Sequence, residues 1–263
     1  MSTSSINVMK DKWARGEATV GGWCSLGNAV SAEIMGRAGF DFVCVDNQHG
    51  VNDYLSTVAM LQAIDLGGVT PIVRVPWNEP GIIGKMLDGG SMGIIIPMVN
   101  SVAEAEAAVR ACRYGPVGAR SYGPIRAGMR VDGYFDLAND AVACIPMIET
   151  VQAIEALDDI LSVPGVDAVY VGPADLSITL GLPPGNNDNE PSFVEALETI
   201  VAGCERHGVV AGIHATTALT QQRLEMGFRM VVATSDAAAM RDGLTAAVAQ
   251  VPGSTTSTEA SLY

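Results

Sequence analysis

Residues 142–149 read VACIPMIE, and residues 167–175 read DAVYVGPAD. Each is a short apolar run that ends at a carboxylate, directly at Glu149 or through a Gly-Pro-Ala turn at Asp175. A strand with one wet face alternates apolar and polar residues, whereas an uninterrupted apolar run suits a parallel strand covered on both faces. Six more β-rich runs occur, at 19–25 (TVGGWCS), 41–46 (DFVCVD), 70–75 (TPIVRV), 93–98 (GIIIPM), 209–213 (VVAGI) and 229–233 (RMVVA).

Helical patterns fill the gaps, at 28–38, 53–66, 101–113, 150–161, 191–207, 216–226 and 236–250, with Lys85 in a further helical stretch after the third run. Ser101 and Glu104 have capping-box spacing, and His207-Gly208 reads as a helix stop. Strands and helices alternating eight times predict an α/β protein with a closed (β/α)8 TIM barrel, one domain over 1–251, and a polar tail at 252–263. Neither G-x-G-x-x-G after the first strand nor a P-loop is present, which argues against a nucleotide fold. The Gly- and Arg-rich segment 114–140 is too long for an ordinary barrel connection and reads as a functional or flexible loop.

With 263 residues, 48% of them hydrophobic and 17% charged, the chain can bury a sizeable core. A formal charge of −14 argues against nucleic acid and anionic membranes as partners. The start, MSTSSINVMKDKW, lacks the apolar core of a signal peptide, and the expectation is a cytoplasmic protein whose five scattered cysteines are buried thiols.

Barrel active sites lie at the carboxyl ends of the strands. There the sequence puts Asp46-Asn47-Gln48-His49, Arg74, Glu149 and Gly172-Pro173-Ala174-Asp175. Two carboxylates at neighbouring strand ends suit a hard divalent cation, Mg2+ or Mn2+, with Co2+ as a further candidate. The competing reading makes both residues helix caps, Asp175 in particular as an N-cap before Leu176. Asp46 stands three positions before His49, close enough to orient its imidazole as an acid/base; a structural hydrogen bond is the alternative. Arg74 ends an apolar run and needs an anion, either a salt-bridge partner or a substrate oxyanion. His214 follows the seventh run and borders the predicted mouth. The only lysines, Lys10, Lys12 and Lys85, are away from the strand ends, so Schiff-base chemistry is not expected and a metal must serve as the electron sink.

With GWCSLGNAVSAEIMGRAGFDFVCVDNQHG, RVPWNEP, KMLDGGSMGIIIPMVNS, GARSYGP, MIET and VGPADLS in this order, the chain resembles the HpcH/HpaI aldolases, metal-dependent class II pyruvate aldolases, from about Trp23 to residue 240. The resemblance implies Glu149 and Asp175 as metal ligands, Asp46 and His49 as the acid/base dyad, and Arg74 on the keto and enolate oxygen. It further implies Gly172, Pro173 and Ala174 at the pyruvate carboxylate, Trp23 as an aromatic wall, and Asp88 near a subunit interface of a homo-oligomer, a hexamer in this family. Gln48 and Met147 depart from the family's common glutamate and glutamine.

The function expected from this is reversible cleavage of 4-hydroxy-2-oxo acids, including 2-keto-3-deoxy acids, to pyruvate and an aldehyde. An acyl-CoA lyase, an oxaloacetate-type decarboxylase and a non-catalytic ligand-binding barrel are the alternatives. Gly118–Arg126 is a candidate lid or aldehyde-side segment.

Overall fold

The computed structural model describes residues 6–252; residues 1–5 and 253–263, and with them nearly all of the expected tail, lie outside the described residues. Parallel strands β1 (Thr19–Cys24), β2 (Phe42–Asp46), β3 (Thr70–Arg74), β4 (Gly93–Ile96), β5 (Ala143–Pro146), β6 (Ala168–Val171), β7 (Val210–His214) and β8 (Met230–Ser235) pair in the order β5-β4-β3-β2-β1-β8-β7-β6. All eight predicted strands are present. The ring closes at a looser seam between β5 and β6, where Ile148 N–H donates to Tyr170 O (2.9 Å) and Asp167 N–H to Cys144 O (3.1 Å).

Helix α1 (Val8–Ala14) precedes the barrel. Helices α2 (Ala29–Gly36), α3 (Tyr54–Asp65), α4 (Pro80–Asp88) and α5 (Val102–Cys112) follow the first four strands in turn. Then come α6 (Ile125–Arg130) and α7 (Tyr134–Ala141) before β5, and α8 (Val151–Glu155) and α9 (Leu157–Leu161) after it. Helices α10 (Pro173–Thr179) and α11 (Pro191–His207) follow β6, while α12 (Thr220–Met226) and α13 (Asp236–Ala249) follow β7 and β8.

Strand side chains alternate between two apolar layers, which is why the runs show no polar period. Val43, Val45, Val73, Ile94, Val169 and Ile213 point outward into a large core shared with the helices. Phe42, Cys44, Ile72, Ile95, Ile145 and Tyr170 point to the barrel axis and fill it. Each fully buried Val, Ile or Phe contributes about 1.5–3 kcal/mol relative to exposure. Helix α1 plugs the amino end: Met9 joins the inner layer, its N–H meets Thr70 Oγ1 (3.2 Å), and Lys10 pairs with Asp167 (2.7 Å). The opposite, carboxyl end is therefore the open one. All five cysteines are buried free thiols, as expected.

Segment 114–140 differs from expectation. Helices α6 and α7 are of six and eight residues, too short for a 3.6-residue period to stand out in the sequence. They enclose a third apolar cluster with Met92, Tyr114 and Tyr134. Because the segment joins the end of α5 to the start of β5, it belongs to the plugged end, so within one chain Gly118–Arg126 cannot cover the mouth. Helix α12 also starts four residues later than the 216–226 pattern suggested. Ser101 caps α5 as expected, but Glu104 reaches back to the Asn100 N–H instead of completing the box.

Candidate active site

Alternation decides which polar residues face the interior. Phe42 and Cys44 point inward, so Asp46 does; Ile72 does the same for Arg74; Ala143, Ile145 and Met147 do the same for Glu149. Trp23 and Tyr170 belong to the same inner layer, and the His214 ring contacts both.

Arg74 donates Nε–H to Asp46 Oδ1 (2.8 Å) and Nη2–H to Oδ2 (2.6 Å), a bidentate pair with both side chains largely buried. Trp23 Nε1–H donates to Oδ2 (3.2 Å), and the backbone N–H groups of Gln48 (3.1 Å) and His49 (3.4 Å) donate to Oδ1. The guanidinium lies over the Trp23 ring at 4.9 Å. Burial alone would raise the Asp46 pKa, but the Arg74 hydrogen bonds and charge outweigh it and hold the carboxyl below its usual range. Arg74 thus has the structural salt bridge that was one of its two sequence readings. Asp46 anchors both the guanidinium and the backbone turn that carries His49.

Glu149 is 2% exposed. Its Oε1 accepts the backbone N–H of Met98 (2.8 Å), and Met98 is held at φ 56°, a left-handed conformation that a non-glycine residue rarely adopts. Strain of this kind persists where its surroundings impose it, and here it aims a donor at a carboxylate. Oε2 lies beside Gly172, where a β-carbon would overlap it. Burial chiefly, and then the negative charge of Asp175, push the Glu149 pKa up to about 7, against the Met98 bond and the Arg74 charge. Neither carboxylate is a helix cap. Thr150 caps α8 through Ala153 N–H, while α10 starts at Pro173 and carries Asp175 inside its first turn. Gly172 is the N-cap residue of α10, and no side chain caps that turn.

This donor set fits a hard divalent cation. It holds two carboxylates, one of them buried with its ionised form disfavoured until a cation arrives. Among the described residues no cluster of three or more His, Cys, Asp or Glu forms a metal cage. A cation at Glu149 and Asp175 would keep its remaining positions for water and substrate oxygens.

Asp88 stands apart. It ends α4 at the plugged side of the barrel, where Arg120 donates to it (2.7 Å). Burial raises its pKa, with Arg120 opposing. Arg126 is likewise engaged, donating to Gly89 O (2.9 Å) and pairing with Asp65. A groove of about 580 Å³ beside Asp88 is lined by Leu55, Lys85, Ile125 and Met129 among others.

Sequence reading missed Met98, whose only local signal is the Pro97 before it, and gave Tyr170 no role. Gln48 Oε1, one of the family departures, is buried without a hydrogen-bond partner among the described residues.

A profile of the HpcH/HpaI aldolase/citrate lyase family matches residues 19–242. The hydroxypyruvate/pyruvate aldolase of Rhizorhabdus wittichii is 38% identical over 235 residues, covering 89% of this chain and 94% of that protein. The 4-hydroxy-2-oxo-heptane-1,7-dioate aldolase of Salmonella typhimurium is 36% identical over 249 residues, covering 93% of this chain and 94% of its own. A crystal structure of a HpcH/HpaI aldolase/citrate lyase family protein from Burkholderia cenocepacia superposes with a TM-score of 0.86 at 31% identity, covering 93% of this chain and 98% of that one. With the barrel, the carboxyl-end site and matches over nine-tenths of its length in agreement, the chain belongs to the HpcH/HpaI aldolase/citrate lyase family.

Proposed function

We propose that this protein is a divalent-metal-dependent aldolase that reversibly cleaves 4-hydroxy-2-oxo acids, 2-keto-3-deoxy acids among them, to pyruvate and an aldehyde. The observation that carries the reading is the buried Glu149, aimed by the strained Met98 N–H beside Asp175 at the open end of the barrel. The three lysines support it by exclusion: Lys10 and Lys12 pair with Asp167 and Asp41 at the plugged end, and Lys85 lies over Tyr54 on the outside. None is available to form an imine with a substrate in the barrel.

Glu149 and Asp175 would hold Mg2+ or Mn2+, which would supply Lewis acidity at the 2-oxo group. Arg74, its Nε and one face of Nη2 pinned by Asp46, has guanidinium N–H groups left for the developing oxyanion. The N–H groups of the Gly172-Pro173-Ala174-Asp175 turn serve the carboxylate of the 2-oxo acid; Pro173, lacking one, shapes the turn. In cleavage His49 takes the C4 hydroxyl proton, the C3–C4 bond breaks, and its electron pair passes to the 2-oxo oxygen. The aldehyde leaves and C3 regains a proton to give pyruvate. Trp23 forms a wall of the cavity.

The working form we propose is a homo-oligomer, a hexamer as in the family. Exposed Leu55, Ile125 and Met129 beside Asp88, and exposed Met240 and Leu244 on α13, support burial against other copies. Asp88 can then act only at a neighbour's site.

The test is methyl-proton exchange of pyruvate in deuterated water, followed by NMR with and without Mg2+ or Mn2+. Metal-dependent exchange is expected, lost in Glu149→Ala, while His49→Ala chiefly impairs aldol cleavage. No exchange by folded protein with any divalent metal would sink the reading.

A further inference from the structure

The backbone pairing of β4 with β5 ends where Met147 N–H donates to Ile96 O (2.8 Å). The next residue after β4, Pro97, has no N–H with which to continue it. Beyond that point side chains join the two segments, in a ring of hydrogen bonds around Met98. Met98 N–H donates to Glu149 Oε1 (2.8 Å), and Met98 O accepts from Asn100 Nδ2 (3.0 Å). Asn100 Oδ1 accepts the hydroxyl of Thr150, the residue after Glu149, and so closes the ring. Its members are anchored from outside. Thr150 is buried and accepts Ala153 N–H (3.0 Å) at the start of α8, while the Asn100 backbone N–H donates to Glu104 Oε2 (2.6 Å) in the first turn of α5.

The ring accounts for the φ of 56° at Met98. Rotation about φ and ψ orients the two rigid peptide groups that flank a residue. Here both are held, the preceding one through Met98 N–H and the following one through Met98 O. Glu149 alone grips only the first and leaves the following peptide free to rotate. The left-handed region disfavours any residue with a β-carbon, so without the second grip the backbone relaxes and turns the N–H away from Glu149. The Asn100 amide cannot serve flipped over, because its oxygen would then face the Met98 carbonyl, acceptor against acceptor.

We infer that Asn100 is the positioning residue for the Glu149 arm of the metal site: by gripping Met98 O and the Thr150 hydroxyl together, it imposes the backbone conformation that aims Met98 N–H at the carboxylate. The inference rests on the metal reading of Glu149 above and names what holds that ligand in place. Asn100 acts through Met98 on one side and Thr150 on the other, the two segments between which Glu149 is suspended. A carboxylate fixed in this way meets a cation without first giving up side-chain freedom, and loosening the groups that orient a metal ligand typically weakens binding about 10- to 100-fold.

The experiment compares wild type, Asn100→Ala, Met98→Gly and the double variant by Mn2+ titration calorimetry, with thermal melts and residue-resolved hydrogen exchange of the metal-free proteins. Asn100→Ala should bind Mn2+ about tenfold more weakly. In the metal-free protein its Met98 amide should exchange about tenfold faster, while the Met147 amide, held in the strand ladder, keeps its rate. Met98→Gly retains the backbone N–H, and glycine takes positive φ without steric cost. In that background nothing needs to be imposed, so the same Asn100 substitution should lower Mn2+ affinity by less than about threefold. Asn100→Leu keeps the side-chain volume but neither hydrogen bond; it should match Asn100→Ala, and is the second probe if that variant melts too low to titrate. Wild-type Mn2+ affinity in the Asn100 variants, or equal losses in the two Met98 backgrounds as a merely structural residue would give, would overturn the inference and leave the metal reading standing. A wild type that takes up no Mn2+ would overturn the metal reading and the inference with it.

Discussion

Replacing Gly172 by alanine tests whether the geometry around Glu149 is built for a cation. The Gly172 backbone, at φ −95° and ψ 97°, is open to any residue, so the substitution acts through space alone. The new methyl would overlap Glu149 Oε2 and stand 3.0 Å from Met147 Cε. Two relaxations are available. Glu149 can rotate away, losing its charge-assisted bond from Met98 at about 1.5–3 kcal/mol. Alternatively, the turn between β6 and α10 can shift, at an overpacking cost of about 1–3 kcal/mol, and carry Asp175 with it. Either response spoils one of the two carboxylates. The expected result is a stability loss of about 1–3 kcal/mol and a Tm lower by roughly 2–4 °C for each kcal/mol. Mn2+ affinity should fall about tenfold or more, since one misplaced ligand need forfeit only about 1.4 kcal/mol to do so. Titration calorimetry with Mn2+ and thermal melts of the metal-free protein read the two effects separately. Gly243→Ala is the control: nothing lies within 4 Å of a β-carbon there, and a helix gains about 0.5–1 kcal/mol from the exchange. If Gly172→Ala binds Mn2+ as wild type does, Glu149 is not a ligand held by this turn.

Three further outcomes are expected. Below pH 4.5 the Glu149 carboxyl is neutral in folded and unfolded chains alike, and the metal-free fold loses stability as pH rises through about 7; the stability difference from Glu149→Gln, followed by urea denaturation, should shrink or reverse over that range, while Mn2+ affinity rises as the competing proton leaves. Asp46→Asn leaves the Arg74 guanidinium buried without its counter-charge and should cost about 3–5 kcal/mol in urea denaturation together with aldol activity; a cost under about 1 kcal/mol would contradict the pairing. Asp236→Ala removes a carboxylate that accepts from Ser25 N–H, both Ser25 and Ser31 hydroxyls and Ala237 N–H, tying α13 to the loop after β1, and should lower stability by about 2–4 kcal/mol in urea denaturation.

The carboxylates that open the case, Glu149 and Asp175, were legible as a pair because each ends an apolar strand run, and such runs carry their meaning locally. Whether they were caps was not legible: a capping residue is defined by where a helix starts, and only the structure shows Thr150 capping α8 just after Glu149, and α10 opening from Gly172 so that Asp175 falls inside its first turn. Asp46 and His49 were read as a dyad from their spacing of three. The contacts to Arg74 and Trp23, from strands 28 and 23 positions away, set the Asp46 charge instead, and no local spacing encodes them.

By itself the sequence determined the barrel, its eight strands and the end at which the site opens, since strand order and strand period follow from chain order and from burial on both faces. Tertiary structure alone decided what each polar group does there. Met98 takes its strained conformation because Glu149 must be met, and Tyr170 meets His214 across neighbouring strands, 44 positions away. Asp88, although only fourteen positions beyond Arg74, is carried by its helix to the far end of the barrel. Hydrogen bonds and charge act through distance in space, and closing the barrel is what turns sequence separation into that distance.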